Sequence, residues 1–236
     1  MPPIDDKPAP KLAELIEDPA AAVARLARQT RGGPEALRAV LVPALRDALE
    51  EGRASAKELL VRTRNGLACA KRLSASMDAV VCSLHAAATR HFYPVQNPSS
   101  GERMAVVAVG GYGRGTLAPG SDVDLLFLFP DKQTAWGESV VEAVLYPLWD
   151  LKLKIGHSVR SVEDCIREAR GDMTIRTALL ESRLVAGDAT LFADMLRRYG
   201  AEVVEGTAPA FTEAKLAERE TRVMRAGASR YLVEPN

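Results

Sequence analysis

The feature that most constrains this chain is a glycine-dense turn between two short apolar runs, with a pair of aspartates at its far end. The first run covers residues 106–109, the turn follows from Gly110, and the second run covers residues 125–129. Asp122 and Asp124 stand just before the second run. A carboxylate at the start of a buried strand is costly unless water, a cation or hydrogen-bond donors satisfy it. The stretch therefore predicts strand, turn and strand, with a functional site where the turn meets the second strand.

The spacing of the two aspartates favours a metal site. In a strand, residues i and i+2 point to the same face and lie about 6.5–7 Å apart. Asp122 and Asp124 should therefore project together, while Val123 points into the core. Mg²⁺ prefers a few carboxylates completed by water and substrate phosphates. A carboxylate pair can bridge two such ions, about 3.5–4 Å apart, and hold the attacking and leaving oxygens of an in-line displacement at phosphorus.

The turn itself suits a polyphosphate. Glycines permit a tight turn whose backbone amides approach phosphate oxygens closely. An arginine in the turn can hold phosphate oxygens through two parallel hydrogen bonds, and a serine hydroxyl can add a donor. The candidate phosphate-binding residues are Gly110, Gly111, Gly113, Arg114 and Ser121. The competing interpretation is an ordinary glycine-rich turn before a strand whose aspartates are solvated.

Three other phosphate and metal motifs do not fit this spacing. A P-loop needs a lysine directly after its last glycine, and no lysine follows these glycines suitably. The dinucleotide fingerprint fails because Thr116 stands where a third glycine is required. A calcium-binding loop needs a further oxygen ligand at the position that Leu126 occupies.

Helical patterns fill most of the remaining chain. Apolar residues recur at helical spacing in the first hundred residues, with a break at Asp18-Pro19 and a predicted helix end at Gly52, after which Ser55 and Glu58 resemble a capping box. In the second half, residues 152–160 alternate like a strand. Helices are predicted over residues 11–29, 35–51, 67–92, 134–151, 172–186, 189–199 and 212–229.

This order of elements predicts an α+β or α/β core wrapped by helices. We divide the chain into a mostly helical segment over residues 1–100, a core over 101–170 and a helical segment over 171–236 that leads to further domains. Residues 1–10 are proline-rich and are expected to be disordered. The last four residues carry no closing cap or polar tail, so we expect the chain to be the N-terminal piece of a longer protein.

Composition narrows the function classes. The 31 lysines and arginines balance 31 aspartates and glutamates, which gives no support for a general nucleic-acid-binding surface. The three cysteines are scattered without a CxxC pair, as expected of a reduced cytoplasmic protein. The N-terminus has no apolar signal segment, and no apolar stretch approaches the roughly 20 residues of a membrane span.

The pattern G-G-Y-G-R-G-T-L-A-P-G-S-D-V-D-L-L, from Gly110 to Leu126, resembles the nucleotidyltransferase domain of the polymerase-beta superfamily. Together with L-Y-P-L-W-D-L-K-L-K-I-G-H-S-V-R and D-M-T-I-R-T-A-L-L-E-S-R, it resembles the family of bacterial uridylyltransferase/uridylyl-removing enzymes that modify the nitrogen-regulatory PII protein. The resemblance is strong over roughly residues 100–236 and less specific before them.

The resemblance implies an α+β polymerase-beta-like core, a small mixed sheet with helices, and transfer of UMP from UTP to a tyrosine hydroxyl of PII with release of pyrophosphate. It implies that Asp122 and Asp124 bind Mg²⁺ and that Gly110 and Gly111, with Arg114 and Ser121 as further candidates, bind the triphosphate. It also implies a multifunctional enzyme of nitrogen regulation, whose phosphohydrolase and ligand-sensing domains lie outside these 236 residues.

One departure from the superfamily pattern concerns the third carboxylate, which commonly acts as the base toward the nucleophile. The strand expected to carry it, residues 154–160, contains no acid. We take Asp172 as the candidate, with Glu163 and Asp164 as alternatives. His157 on that strand either contacts nucleotide or metal or is a structural histidine. Two other functions stay open: transfer of another nucleotide, to a protein or a small molecule, and nucleotide sensing without catalysis.

Overall fold

A computed structural model describes residues 10–96 and 99–225 of the chain. The sequence predicts that residues 1–10 are disordered and that the last four residues lead into a longer protein. Apart from Pro10, these positions lie outside the described ranges. The N-terminal part is a packed group of four helices, α1 Leu12–Glu17, α2 Pro19–Gln29, α3 Gly33–Thr63 and α4 Gly66–Ala87. Asp18 caps α2 by accepting a hydrogen bond from Ala21 N at 2.9 Å, which confirms the predicted break.

The predicted helix end at Gly52 is wrong, because α3 continues through it to Thr63. Gly52 is buried and lies against Ser76 of α4, where a Cβ at position 52 would lie 3.4 Å from Leu12 Cδ2 and overlap the Ser76 side chain. The glycine permits close packing of two helices, and tertiary contact outweighs its low helix propensity. The capping box predicted at Ser55 is therefore absent from this continuous helix.

A four-stranded mixed sheet follows, with strand order β3-β2-β1-β4. The strands β1 and β2 pair antiparallel, β1 and β4 pair antiparallel, and β2 and β3 pair parallel. The strand bounds are β1 Ala105–Ala108, β2 Val123–Phe129, β3 Ile155–Ser161 and β4 Arg183–Gly187. A short helix, α5 Gly110–Gly113, fills the turn between β1 and β2. The small mixed sheet with flanking helices confirms the predicted α+β class.

The remaining helices are α6 Ala135–Asp150, α7 Val162–Gly171, α8 Met173–Leu180, α9 Ala189–Tyr199 and α10 Ala208–Arg225. Asp188 caps α9 through Leu191 N at 2.9 Å, as its position predicts. The prediction of a helix over residues 172–186 is wrong for its end, since α8 stops at Leu180 and β4 begins at Arg183. None of the helices within the described ranges is both long enough and apolar enough to cross a membrane.

The sheet separates two hydrophobic cores. Val123, Leu125 and Phe127 face the core that includes α1 to α4 and α6. Leu126 and Leu128 face the second core, formed with α7, α8 and α9. Strand alternation therefore directs Asp122 and Asp124 to the side of α7 to α9, opposite Val123.

Candidate active site

The turn after β1 brings the backbone directly to the second aspartate. Gly110 has φ +56°, a left-handed conformation that favours glycine. Val109 N donates to Asp124 O at 3.1 Å, which fixes the start of the turn beside β2. A Cβ at Gly110 would lie 3.7 Å from Asp124 Oδ2. The glycine turn and the carboxylate of Asp124, the predicted metal ligand, are therefore adjacent.

The two aspartates form a pair at the start of β2. Asp122 is exposed and Asp124 is half-buried. Burial raises the pKa of Asp124 above its ordinary value, and the nearby charge of Asp122 raises it further. A divalent cation would relieve both effects, because it neutralises the pair and replaces lost hydration. Two carboxylates that repel each other in this way suit Mg²⁺, whose remaining coordination positions water and phosphate oxygens would fill.

A third member of the site lies on β3, and the predictions from the sequence did not include it. Gly156 pairs with Asp124 in the parallel register. A Cβ at position 156 would lie 3.4 Å from Asp124 Cγ and would overlap its Oδ1. The Asp124 carboxylate therefore lies between two glycines, Gly110 on one side and Gly156 on the other. A glycine inside a strand often marks such a close approach, and this signal was available in the sequence.

Gly156→Ala should reduce the nucleotidyl transfer that the resemblance implies by about 100-fold, with little change in unfolding temperature. The added methyl group displaces Asp124 Oδ1, and a misplacement of about 1 Å at a reacting centre can cost this much. The measurement is the rate of transfer against Mg²⁺ concentration, with Mn²⁺ binding followed by electron paramagnetic resonance. Gly171→Ala is the matched control, because no atom lies within 4 Å of a Cβ at that position. Equal activity of the two variants would contradict the arrangement.

The rest of the turn is anchored to α8. A Cβ at Gly113 would lie 2.9 Å from the carbonyl carbon of Glu181 and would overlap its oxygen, so only glycine fits. Arg114 forms an ion pair with the Glu181 side chain, while 55% of the Arg114 side chain remains exposed. A Cβ at Gly111 would lie 3.6 Å from Arg114 Nη2. Arg114 thus lies beside the turn, and its role in binding phosphate stays a prediction.

Ser121 lies apart from the other candidates. Its Oγ donates to Ala118 O at 3.0 Å, and its residue lines a cavity on the Val123 side of β2. The side chain thus closes the local turn that leads to Asp122. Its role as a phosphate donor stays a prediction.

The structure places Asp172 at the N-terminal cap of α8. Its Oδ1 accepts hydrogen bonds from Thr174 N at 2.7 Å and Ile175 N at 3.1 Å. These two backbone amides, the Ile175 amide first, lower the pKa of Asp172. Within the described ranges, no three His, Cys, Asp or Glu residues are grouped to hold a metal ion. Asp172 therefore stays a prediction as the third carboxylate.

The other candidates on β3 and α7 have structural surroundings. His157 points away from Asp124, with its ring 5.9 Å from that of Trp149 in an edge-on contact. Asp164 caps α7 together with Ser161, and Glu163 pairs with Arg198 at 2.8 Å.

A polar network behind the turn was not predicted. Tyr112 is fully buried, and its hydroxyl donates to Asp78 Oδ1 on α4 at 2.6 Å. Arg183 on β4 binds both oxygens of Asp78, at 2.9 and 3.0 Å, and lies 5.4 Å from the centre of the Tyr112 ring. The network ties α4, the glycine turn and β4 together. Asp78 lies 34 residues from Tyr112, so no local pattern indicates the pairing.

Comparison with known proteins identifies the kind of domain in which these residues lie. A family model described as a nucleotidyltransferase domain matches residues 97–183. The chain is 56% identical over 217 residues to a bifunctional uridylyltransferase/uridylyl-removing enzyme of Bradyrhizobium sp. strain ORS 278, covering 92% of this chain and 23% of the relative. It is 55% identical to the enzyme of the same name from Rhodopseudomonas palustris, with the same coverage. The predicted resemblance is confirmed, and the chain spans 23% of the length of these relatives.

Proposed function

Because the chain carries a nucleotidyltransferase domain and is similar to uridylyltransferase/uridylyl-removing enzymes, we propose that it transfers UMP from UTP to a tyrosine hydroxyl of a PII protein. The observation that carries the proposal is the position of Asp124, between Gly110 and Gly156 at the mouth of the glycine turn. The choice of UTP and of PII rests on the resemblance, since no residue described above distinguishes uracil from adenine.

In the proposed reaction, the tyrosine oxygen attacks the α-phosphorus of UTP, pyrophosphate leaves, and the phenolic proton passes to a base. Asp122 and Asp124 would hold Mg²⁺, which would stabilise charge on the phosphate oxygens. The amides of the glycine turn face the triphosphate, and Arg114 leaves Glu181 to bind it. Asp172 is our candidate for the base by the resemblance alone, since the two backbone amides that lower its pKa keep it ionised but also make it a weaker base.

The proposal predicts that UTP labelled at the α-phosphate transfers its label to a PII protein when Mg²⁺ is present. Chelation of the metal should stop the transfer, and α-labelled ATP at the same concentration should give little product. A PII variant with phenylalanine at its acceptor tyrosine is the control, since it removes only the nucleophile.

Each alternative function gives a different result in this assay. Label from ATP instead of UTP indicates transfer of another nucleotide. Tight nucleotide binding without transfer, both in this chain and in a longer protein that contains it, indicates a sensor and contradicts the proposal.

A further inference from the structure

A cavity of about 500 Å³ lies on the Val123 side of β2, away from the two aspartates. Its walls come from α3, from α4 and from residues 117–123, the segment that leads into β2. The walls are mainly apolar, with Leu49, Ala56, Leu73, Met77, Leu117 and Val123 among them. Pockets that bind molecules of drug size commonly have this volume and an apolar lining with a few polar groups.

Four basic side chains also line this mainly apolar cavity. Arg53 and Lys57 reach it from α3, and Lys152 and Lys154 reach it from the turn before β3. All four residues are exposed, and no aspartate or glutamate of the described residues lines the cavity. Their side chains form no ion pair or hydrogen bond with any residue that the structure describes. Since the whole chain has equal numbers of acidic and basic residues, this one-sided charge is local.

We propose that this cavity binds a small amphipathic anion, with an apolar or aromatic body and a phosphate, carboxylate or sulfonate group. The apolar walls would bind the apolar part of the ligand, because its burial releases water from both surfaces. The four cations account for the anionic group, because charges of one sign beside a low-dielectric wall concentrate counter-ions. Neither a purely apolar ligand nor inorganic phosphate would use both halves of the site.

The cavity lies on the opposite face of β2 from the proposed metal site and shares only Ser121 with the candidate residues of the nucleotide site. Ser121 and Val123 line the cavity, whereas Asp122 and Asp124 alternate to the other face of the strand. The proposed ligand contacts the residue between the two aspartates. Binding measurements alone can therefore test the proposed anion site, whether or not the chain transfers a nucleotide.

The test uses 1-anilinonaphthalene-8-sulfonate as the amphipathic anion and N-phenyl-1-naphthylamine, which lacks the sulfonate, as the uncharged probe. The folded chain should bind the anion saturably, and the double variant Lys57→Gln/Lys152→Gln should raise its Kd about 10-fold, since two exposed charge contacts are lost. The Kd of the uncharged probe should change less than twofold. Lys71→Gln/Lys132→Gln removes the same charge outside the cavity and should leave both values unchanged.

A second variant tests the apolar half without relying on the lysines. Ala118→Trp places a bulky side chain at an exposed position in the cavity lining and should weaken binding of both probes. Circular dichroism melting confirms that each variant is folded before it is titrated. The proposal is overturned if the control lysine variant raises the Kd of the anionic probe as much as the cavity lysine variant does. It is also overturned if Ala118→Trp leaves binding of both probes unchanged.

Discussion

Asp124→Asn should lower metal-dependent nucleotidyl transfer by about 1000-fold while the protein remains folded. The amide keeps the shape of the carboxylate but removes the charge that would hold the metal between Gly110 and Gly156. Stabilisation by a bound metal is worth several kcal/mol, and about 4 kcal/mol corresponds to this factor. The measurement is single-turnover transfer at saturating nucleotide, together with Mn²⁺ binding, which should weaken in parallel.

The matched control is Asp131→Asn, which makes the same change at an exposed residue just beyond the end of β2. Its activity and its Mn²⁺ affinity should equal those of the unmodified chain. Asp122→Asn should behave like Asp124→Asn, because the two charges belong to one site. Activity of either site variant within tenfold of the unmodified chain would remove the metal-binding role from that residue.

The thermal stability of Asp124→Asn should not fall with its activity. Burial and Asp122 raise the pKa of Asp124 in the folded chain. The stability that this group contributes is therefore complete below its unfolded pKa, about 3.9, and is lost as the pH rises through the folded value. Asparagine stays neutral throughout, so without metal at pH 7 the variant should melt at the same temperature or higher. Lower stability would show that Asp124 has a structural role.

The sequence was sufficient for the parts of the site that are close together along the chain. Asp122, Asp124 and Gly110 form one continuous stretch, and strand alternation with turn chemistry predicts their arrangement. Gly156 joins the site through the pairing of β3 with β2. The glycine inside a predicted strand is visible in the sequence, but its contact with Asp124 depends on this tertiary pairing and does not follow from a local pattern.

The errors in the predicted fold have the same origin. Gly52 breaks helices in isolation, but its contact with Ser76 on α4 makes it a packing position. The strand β4 was predicted as the end of a helix because Leu184 and Val185 continue the apolar spacing of α8. It is an edge strand whose partner in the sheet is β1, more than 70 residues earlier. Local propensity cannot show a partner so far away.

Asp78→Ala should destabilise the chain by about 2–3 kcal/mol and lower its melting temperature by about 5–10 °C. The variant leaves Arg183 without its carboxylate and the buried Tyr112 hydroxyl without its acceptor. Breaking a fully buried ion pair costs about 3–5 kcal/mol. A smaller loss is expected here because the Arg183 and Asp78 side chains are 33% and 28% exposed. Asp47→Ala, at an exposed position inside α3, is the control and should melt like the unmodified chain.

Two further variants separate the contributions within this network. Tyr112→Phe removes one hydrogen bond but keeps the Asp78–Arg183 pair, so it should cost only about 1 kcal/mol. Asp78→Ala/Arg183→Met removes both charges together and should be at least as stable as Asp78→Ala, because no unpaired guanidinium remains. Arg183→Met completes the cycle, and if the double variant loses the sum of the Asp78→Ala and Arg183→Met losses, the two side chains act independently. In that case the network does not hold the glycine turn against α4 and β4 as a unit.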